Sequence, residues 1–128
     1  MIEIYIDGAS AGDPGPSGAG IFINNEGKVK QYALPLGIAS NHEAEFLALI
    51  KALELCSGEE DAIISVRSDS TLVVNAIEKQ FVKNKKYTHL LDQALRLTEQ
   101  FNLFFIKWVP SKENKKADEL AKKAIRLN

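Results

Sequence analysis

The fold can be predicted from the opening segment IEIYIDGASAGDPGPSG, residues 2–18. Apolar Ile2, Ile4 and Ile6 alternate with more polar residues, which is typical of a half-buried strand. That strand is predicted to stop at Asp7, and residues 11–18 are dense in glycine and proline, which favour turns. The chain therefore begins with a strand that ends in an acidic residue and leads into a tight turn.

The rest of the chain contains further strand and helix patterns. Ser40 and Glu43 match a capping box, and apolar residues at helical spacing follow them. Strands are predicted at residues 19–23, 29–36, 62–68 and 101–109, a hairpin turn at 24–27, and helices at about 40–56, 70–79, 90–97 and 114–127. The order is β-β-β-α-β-α-α-β-α, which indicates one α/β domain, residues 1–128, with helices packed on a mixed sheet.

Composition excludes several classes of protein. The chain has 128 residues, of which 45% are hydrophobic and 26% are charged, as in an ordinary globular domain. Cys56 is the only cysteine, which excludes an internal disulfide and a zinc site built from cysteines. Because no basic and apolar leader opens the sequence, we expect a cytoplasmic protein. No apolar run approaches the roughly 18 residues of a membrane-spanning helix, so no membrane span is expected.

The charges are distributed unevenly along the chain. Residues 1–78 contain four basic and twelve acidic residues, a net charge of -8, whereas residues 79–128 contain twelve basic and five acidic residues, a net charge of +7. This asymmetry indicates a polyanionic partner for the second half and a gathering of acidic groups in the first half. Lysine-rich helix faces that are simply solvated are the alternative at this point.

Two aspartates stand at the ends of predicted strands. Asp7 ends the first strand and Asp69 ends the fourth. In a sheet where these two strands run parallel, their carboxyl ends share one crevice, which is where ligands bind in open α/β sheets. Each aspartate alone also fits a simple turn former.

Two further acidic residues lie on predicted helices. Glu45 is four residues before Leu49, which places it close to the apolar stripe of its helix rather than opposite that stripe. A carboxylate that faces apolar surface is costly unless it is paired or binds a metal. Asp118 lies on the last helix near Lys122. The alternatives are interaction with the helix dipole for Glu45 and a surface ion pair for Asp118.

The four carboxylates have no histidine or cysteine partners in these patterns. Such a set suits hard cations that prefer oxygen ligands, such as Mg²⁺ or Mn²⁺. Two such ions about 4 Å apart can activate a water molecule and stabilise the leaving oxygen in phosphodiester hydrolysis. The basic second half would then bind the phosphate backbone of the substrate.

Four blocks of sequence resemble the signatures of the type 1 ribonuclease H family, in the family's order and over nearly the whole chain. They are DGAS with GDPGPSG (residues 7–10 and 12–18), NHEAE (41–45), SDS (68–70) and NKKADELA (114–121). The resemblance implies a ribonuclease H-like fold, a five-stranded mixed sheet with helices on both faces. It also implies that two Mg²⁺ or Mn²⁺ ions are coordinated by Asp7, Glu45, Asp69 and Asp118.

The same resemblance implies an activity and a set of substrate contacts. The activity is endonucleolytic cleavage of the RNA strand of RNA/DNA hybrids, leaving 3′-hydroxyl and 5′-phosphate ends, and we expect a monomer to perform it. The contacts are expected at the turn and helix starts and in the basic connections, namely at Gly12, Asp13, Ser40, Asn41, Thr71, Asn84, Lys85, Lys86 and Lys112. Polar groups of this kind can recognise 2′-hydroxyls across the shallow minor groove. Capping is the alternative role of the polar turn residues, and Ser40 is expected to do both.

The chain departs from the family in the loop before Asp118. Many members have a histidine in this loop, whereas this chain has none, and Lys112 or Glu113 is the expected substitute. The two histidines of the chain, His42 and His89, fall elsewhere and are expected to be surface or helix residues rather than catalysts.

A second departure is the short connection at residues 80–87, which replaces the bulky basic protrusion of many members. The tryptophan of that protrusion is also missing, and Trp108, the only tryptophan, is expected in the core. These departures keep open a second hypothesis, a catalytically weak or inactive relative that binds RNA/DNA hybrids or structured RNA. A third hypothesis is another nuclease of this fold, such as a junction resolvase, although the first and last sequence blocks argue against it.

Overall fold

The computed structural model describes residues 1–128 and contains five strands and four helices. The strands are β1 (Ile2–Ser10), β2 (Gly15–Asn25), β3 (Lys28–Ala39), β4 (Ile63–Ser68) and β5 (Leu103–Trp108). The helices are α1 (Asn41–Leu55), α2 (Thr71–Lys79), α3 (Thr88–Thr98) and α4 (Lys115–Ile125), and short 3-10 helices at Lys85–Tyr87 and Ser111–Glu113 precede the last two. The predicted element order is confirmed. None of the helices is both long enough and apolar enough to cross a membrane.

The strands form one mixed sheet in the order β3-β2-β1-β4-β5. β1 is antiparallel to β2 and parallel to β4, and β4 is parallel to β5. The last pair between β1 and β4 joins Ile6 to Ser68. Asp7 and Asp69 each follow that pair, so the parallel arrangement places Asp7, within β1, beside Asp69 at the carboxyl end of β4.

Two glycines let helices pack closely on opposite faces of the sheet. A Cβ atom at Gly8 would overlap the backbone carbonyl of Ala44 in α1, and one at Gly20 would overlap the carbonyl of Ala117 in α4. Gly20 pairs with Asp7, so these two residues face the same side of the sheet. Gly8 is the next residue after Asp7 and therefore faces the other side. The predicted arrangement of helices on both faces is confirmed, and Asp7 lies on the α4 side.

The main core lies between the sheet and helices α1, α2 and α3. Ile2, Ile4 and Ile6 enter it from β1, and Phe46 and Leu49 enter it from α1, all of them at most 3% exposed. The alternation at the start of the sequence therefore predicts the buried face of β1 correctly. Asp7 has the opposite parity and faces away from this core.

The first three strands are longer than the sequence patterns predicted. β1 continues to Ser10, which pairs with Ser17, and Gly15 of β2 pairs with Ala39 of β3. Glycine and serine at these positions are poor strand formers, but pairing with neighbours in the sheet overrides that local preference. The predicted hairpin turn between β2 and β3 is confirmed, with positive φ angles of 52° at Glu26 and 91° at Gly27.

The prediction that Trp108 belongs to the core is wrong. Trp108 is 50% exposed and is the last residue of β5, an edge strand. It shares its face of the strand with Phe104 and Ile106, which are partly buried against the core. Alternation predicts which face a side chain occupies, but it does not predict how far along the strand the covering helices extend.

Candidate active site

Asp7 lies at the centre of an acidic cluster, the name used below for Asp7, Glu45, Asp69 and Asp118. Burial is the largest cause that raises the pKa of Asp7, and the charge of Asp69 is the next. Asp118, through hydrogen bonding and charge, and the charge of Glu45 raise this pKa further. Together they raise the pKa of Asp7 to about 8. The ionised form is thus disfavoured by exclusion from water and by carboxylates on three other elements.

The capping box of α1 separates the roles of its two glutamates. Glu43 Oε1 accepts the N–H of Ser40 at 2.9 Å, and Ser40 Oγ accepts the N–H of Glu43 at 3.1 Å. These bonds keep the pKa of Glu43 below its ordinary value. The side chain of Glu45 is 21% exposed, and its Oε1 atom lies 2.9 Å from Nδ1 of His42. Glu43 therefore caps the helix, whereas Glu45 belongs to the acidic cluster.

Asp69 is held in the two-residue connection between β4 and α2. Ser68 Oγ accepts the N–H of Ser70 at 3.0 Å, and Ser70 Oγ accepts the N–H of Val73 at 3.2 Å to cap α2. The indole Nε1–H of Trp108 donates to the backbone carbonyl of Asp69 at 3.2 Å. The backbone of Asp69 is thus tied to the adjacent strand β5 as well as to its own connection.

Asp118 lies in the first turn of α4 and interacts in two directions. Lys122 Nζ lies 3.0 Å from Asp118 Oδ2, one helical turn away, and Asp118 keeps the pKa of Lys122 above its ordinary value. Asp118 also raises the pKa of Asp7. The ion pair that the sequence allowed as an alternative exists, but it does not remove Asp118 from the acidic cluster.

Asn114 connects the start of α4 with the middle of β1. Its Nδ2 group donates to the carbonyl of Ile6 at 2.8 Å, and its own carbonyl accepts the N–H of Asp118 at 3.1 Å. The bond to Ile6 joins residues 108 positions apart in sequence. It therefore brings the elements that carry Asp7 and Asp118 together.

The four carboxylates meet at one end of the sheet without forming a finished metal cage. Glu45, Asp69 and Asp118 all act on the pKa of Asp7. No three histidine, cysteine, aspartate or glutamate side chains stand in ligating geometry around one point. The fold therefore places the four carboxylates near one another, but their side chains lie further apart than the ligands of a bound cation would.

The turn after β1 is joined to the start of α1. The N–H of Asn41 donates to Asp13 Oδ1 at 3.1 Å, and the N–H of Ser10 donates to Asn41 Oδ1 at 3.2 Å. Asp13 and Asn41 remain exposed, Gly12 is half-buried, and Ser40 is buried with its hydroxyl engaged in capping. The structure thus brings Gly12, Asp13 and Asn41 together on one surface, with Ser40 buried next to Asn41.

Thr71 is exposed at the first position of α2, two residues after Asp69. It makes no side-chain hydrogen bond that would occupy its hydroxyl. Its exposure leaves the hydroxyl available to a ligand.

The basic connection before α3 is anchored to α1, the helix that carries Glu45. Asn84 Oδ1 accepts the N–H of Lys86 at 3.1 Å and starts the short 3-10 helix. The ring of Tyr87 is stacked on Phe46 at 5.8 Å, and Lys86 Nζ lies 5.5 Å from the Tyr87 ring centroid. Lys85 and Lys86 are exposed, as is Lys112 in the 3-10 helix before α4.

Two features of this surface were not predicted from the sequence. His42 is an exposed helix residue as expected, but its contact with Glu45 was not, although a spacing of three residues on a helix could have indicated it. Phe81 is 64% exposed between Lys79 and Lys83, with which it lines a surface cavity of about 300 Å³. An aromatic residue between lysines is a sequence signal for nucleic-acid binding that was available.

Comparison with protein families and curated proteins gives matches along nearly the whole chain. The family model described as RNase H matches residues 1–126. A protein of Enterococcus faecalis named "Putative hydrolase EbsB" is 44% identical over 127 residues, covering 98% of this chain and 94% of that protein. A ribonuclease H of Desulforamulus reducens is 34% identical over 137 residues, covering 94% of this chain and 84% of that protein.

Solved structures give similar matches. RNase H1 from Halobacterium salinarum has a TM-score of 0.90 and 32% identity, covering 99% of this chain and 98% of that chain. LC11-RNase H1, isolated from compost and solved in complex with an RNA/DNA hybrid, has a TM-score of 0.89 and 30% identity, with the same coverage. Both sheet topology and sequence are therefore similar to those of these proteins.

Proposed function

The chain belongs to the ribonuclease H family, and we propose that this ribonuclease H cleaves the RNA strand of RNA/DNA hybrids endonucleolytically, leaving 3′-hydroxyl and 5′-phosphate ends. The observation that carries the proposal is the acidic cluster, in which burial and neighbouring carboxylates raise the pKa of Asp7 to about 8. A protein that only binds a polyanion gains nothing from concentrating negative charge in this way. The similarity to a protein solved with an RNA/DNA hybrid supports the choice of substrate.

Ribonucleases H use divalent metal ions, and the donor set of the acidic cluster fits such ions. All four side chains offer carboxylate oxygens, the ligands that Mg²⁺ and Mn²⁺ prefer. The neighbouring carboxylates that help to raise the pKa of Asp7 concentrate negative charge at this site, and a bound cation would offset that charge. We propose that Asp7, Glu45, Asp69 and Asp118 hold two Mg²⁺ or Mn²⁺ ions. When bound, such ions activate a water molecule and stabilise the leaving oxygen of a phosphodiester.

The residues around the acidic cluster are proposed to bind and orient the hybrid. The turn that contains Gly12 and Asp13 and the helix start at Asn41 form one hydrogen-bonded surface beside Asp7. Exposed polar groups on that surface and at Thr71 can contact 2′-hydroxyls across the minor groove, which distinguishes RNA from DNA without reading sequence. Ser40 supports this surface mainly by capping α1.

The basic connection is proposed to bind the phosphate backbone. Lys85 and Lys86, with Asn84 shaping the turn, form an exposed cationic segment that is anchored through Tyr87 to the helix of Glu45. Lysines beside an exposed aromatic residue such as Phe81 are typical of surfaces that bind nucleic-acid strands. Lys112 adds a further positive charge near the start of α4. One chain carries every residue proposed to bind metal or substrate, which supports action as a monomer. The cytoplasmic location stays a prediction.

Hybrid binding with little or no cleavage is the second candidate function. One observation favours it: no three side chains of the acidic cluster stand in ligating geometry. The short loop at Ser111–Glu113 also has no histidine to assist proton transfer. The match of residues 1–126 to the ribonuclease H family argues against the third hypothesis, a junction resolvase.

A cleavage assay with end-labelled substrates tests the proposal. RNA/DNA hybrid, duplex DNA, duplex RNA and a four-way junction are incubated with Mg²⁺ and then with Mn²⁺. Asp69→Asn removes one ligand charge at nearly constant shape and should abolish cleavage of the RNA strand. Asp92→Asn makes the same charge change at an exposed position of α3 and should cleave like the wild type.

The pattern of products separates the candidates. Cleavage of the RNA strand by the wild type and by Asp92→Asn, but not by Asp69→Asn, supports the proposal. Hybrid binding without cleavage in either metal would establish the second candidate. Full activity of Asp69→Asn would refute the assignment of the acidic cluster.

A further inference from the structure

Asn114 holds an unusual position among the buried polar residues. It is 1% exposed, and its Oδ1 atom is the only buried side-chain nitrogen or oxygen of the protein without a hydrogen-bond partner. A buried acceptor without a partner costs at least as much stability as one ordinary hydrogen bond contributes. The single bond from Nδ2 to Ile6 therefore offsets this cost at best, and stability alone does not explain why asparagine occupies this position.

The contacts of Asn114 are instead with the backbone on either side of the acidic cluster. Nδ2 donates to the carbonyl of Ile6, which directly precedes Asp7. The backbone carbonyl of Asn114 accepts the N–H of Asp118. One small and rigid residue thus joins the strand that carries the first carboxylate to the helix that carries the fourth.

The start of α4 is packed closely on one side and borders open space on the other. A cavity of about 210 Å³ lies beside Asn114 and is lined by Tyr5, Phe22, Glu113, Asn114 and Lys116. A helix end that borders open space is not held by close packing on that side. Close packing of Ala117 on Gly20 fixes the approach of α4 to β2, and the hydrogen bond from Asn114 is the side-chain bond that ties the start of α4 to β1.

We infer that Asn114 is a positioning residue, which holds Asp7 and Asp118 at the separation needed to bind divalent cations. The inference rests on the proposed function, because it assigns Asn114 a role toward the metal ligands of that site. Asn114 itself need not touch the metal or the substrate. Its effect is carried by the side-chain bond to Ile6, because the backbone bond to Asp118 already makes Asn114 part of the start of α4.

The far end of α4 provides a matched control. Asn128 Nδ2 donates to the carbonyl of Ser17 in β2 at 2.8 Å, the same distance and the same kind of bond that Asn114 makes to Ile6. Both bonds tie an end of the α4 region to the sheet. Only the bond from Asn114 is adjacent to the acidic cluster.

The experiment compares Asn114→Ala with Asn128→Ala. Mn²⁺ binding is measured by titration calorimetry, kcat and KM are measured on a labelled RNA/DNA hybrid, and the melting temperature is measured without metal. Asn114→Ala should bind Mn²⁺ about tenfold more weakly and lose kcat by about tenfold or more, as typical for residues that orient metal ligands. Its KM should stay close to the wild-type value. Asn128→Ala should lower the melting temperature without changing Mn²⁺ affinity or kcat.

Asn114→Leu has the same branching at Cγ without a donor, so it gives the same test if the alanine variant unfolds. Wild-type Mn²⁺ affinity in a folded Asn114 variant would overturn the inference, as would equal losses of affinity in the Asn128 variant. Absence of Mn²⁺ binding by the wild type would refute both this inference and the proposed function. A wild type that binds Mn²⁺ but leaves hybrids intact would refute the proposed function alone, while the affinities of the variants would still decide the role of Asn114.

Discussion

Replacement of Asp7 by asparagine should stabilise the metal-free protein while removing a proposed metal ligand. The pKa of Asp7 is raised from 3.8 to about 8, first by burial and then by Asp69, Asp118 and Glu45. Folding at neutral pH therefore either leaves this carboxyl protonated or places its charge next to other carboxylates. Asparagine has nearly the same shape, carries no charge and can still donate a hydrogen bond to Asp118.

The pH dependence of this effect has a definite sign. Because the folded-state pKa lies above the unfolded value, the folded protein binds more protons between the two values, and stability falls as pH rises through that interval. The stability that Asp7 contributes is fully present below about pH 4 and is lost by about pH 8. Four pKa units correspond to about 6 kcal/mol at most. Because Asp7 is only half-buried and solvent screens part of the interaction, we expect a gain of roughly 2–3 kcal/mol for Asp7→Asn at pH 8.

Urea unfolding in the presence of a chelator measures this gain, with circular dichroism and the fluorescence of Trp108 as two signals. The difference in free energy of unfolding between Asp7→Asn and the wild type should grow steadily from about pH 5 to about pH 8. Asp92→Asn, the same change at an exposed position, should show little difference at any pH. A difference for Asp7→Asn that is independent of pH, or a less stable variant, would refute the reasoning.

Three further changes test other parts of the structure. Gly20→Ala should destabilise the protein by about 1–3 kcal/mol, because its Cβ would overlap the carbonyl of Ala117, and an unchanged urea midpoint would contradict the close approach of α4. Ser40→Ala should lower the free energy of unfolding by about 1 kcal/mol through loss of the α1 cap, measured in the same way, and no loss would mean that the capping box contributes nothing. Joint replacement of Lys85 and Lys86 by alanine should weaken hybrid binding and reduce its logarithmic salt slope by up to about 2, with kcat at saturation unchanged. An unaltered slope in a salt titration would place the phosphate contacts elsewhere.

Local patterns predicted the elements that carry the acidic cluster. The capping box at Ser40 and Glu43 fits α1, and the strands that carry Asp7 and precede Asp69 are parallel as expected, although β1 continues past Asp7 to Ser10. These predictions succeed because caps and alternation depend on neighbours within a few residues. The distinction between Glu43 and Glu45 also follows from local chemistry, since only the former is at the capping position. The roles of the predicted substrate contacts stay predictions.

Contacts between distant residues could not be predicted in the same way. Trp108 was assigned to the core because its strand alternates, but the cover provided by helices depends on where the edge strand β5 ends in the sheet. The bond from Asn114 to Ile6 joins opposite ends of the chain, and no local pattern indicates it. The raised pKa of Asp7 likewise arises from burial and from charges on three other elements.

The sequence by itself determined the types and order of the elements, the four carboxylates along them, and the resemblance to a nuclease family. Periodicity, capping and turn formation act over a few residues, so they are visible in one dimension. The tertiary structure decided which carboxylates meet, how strongly Asp7 is perturbed, and that Asn114 bridges β1 and α4. Those properties depend on distances and exclusion from water, which exist only after residues far apart in sequence have packed together.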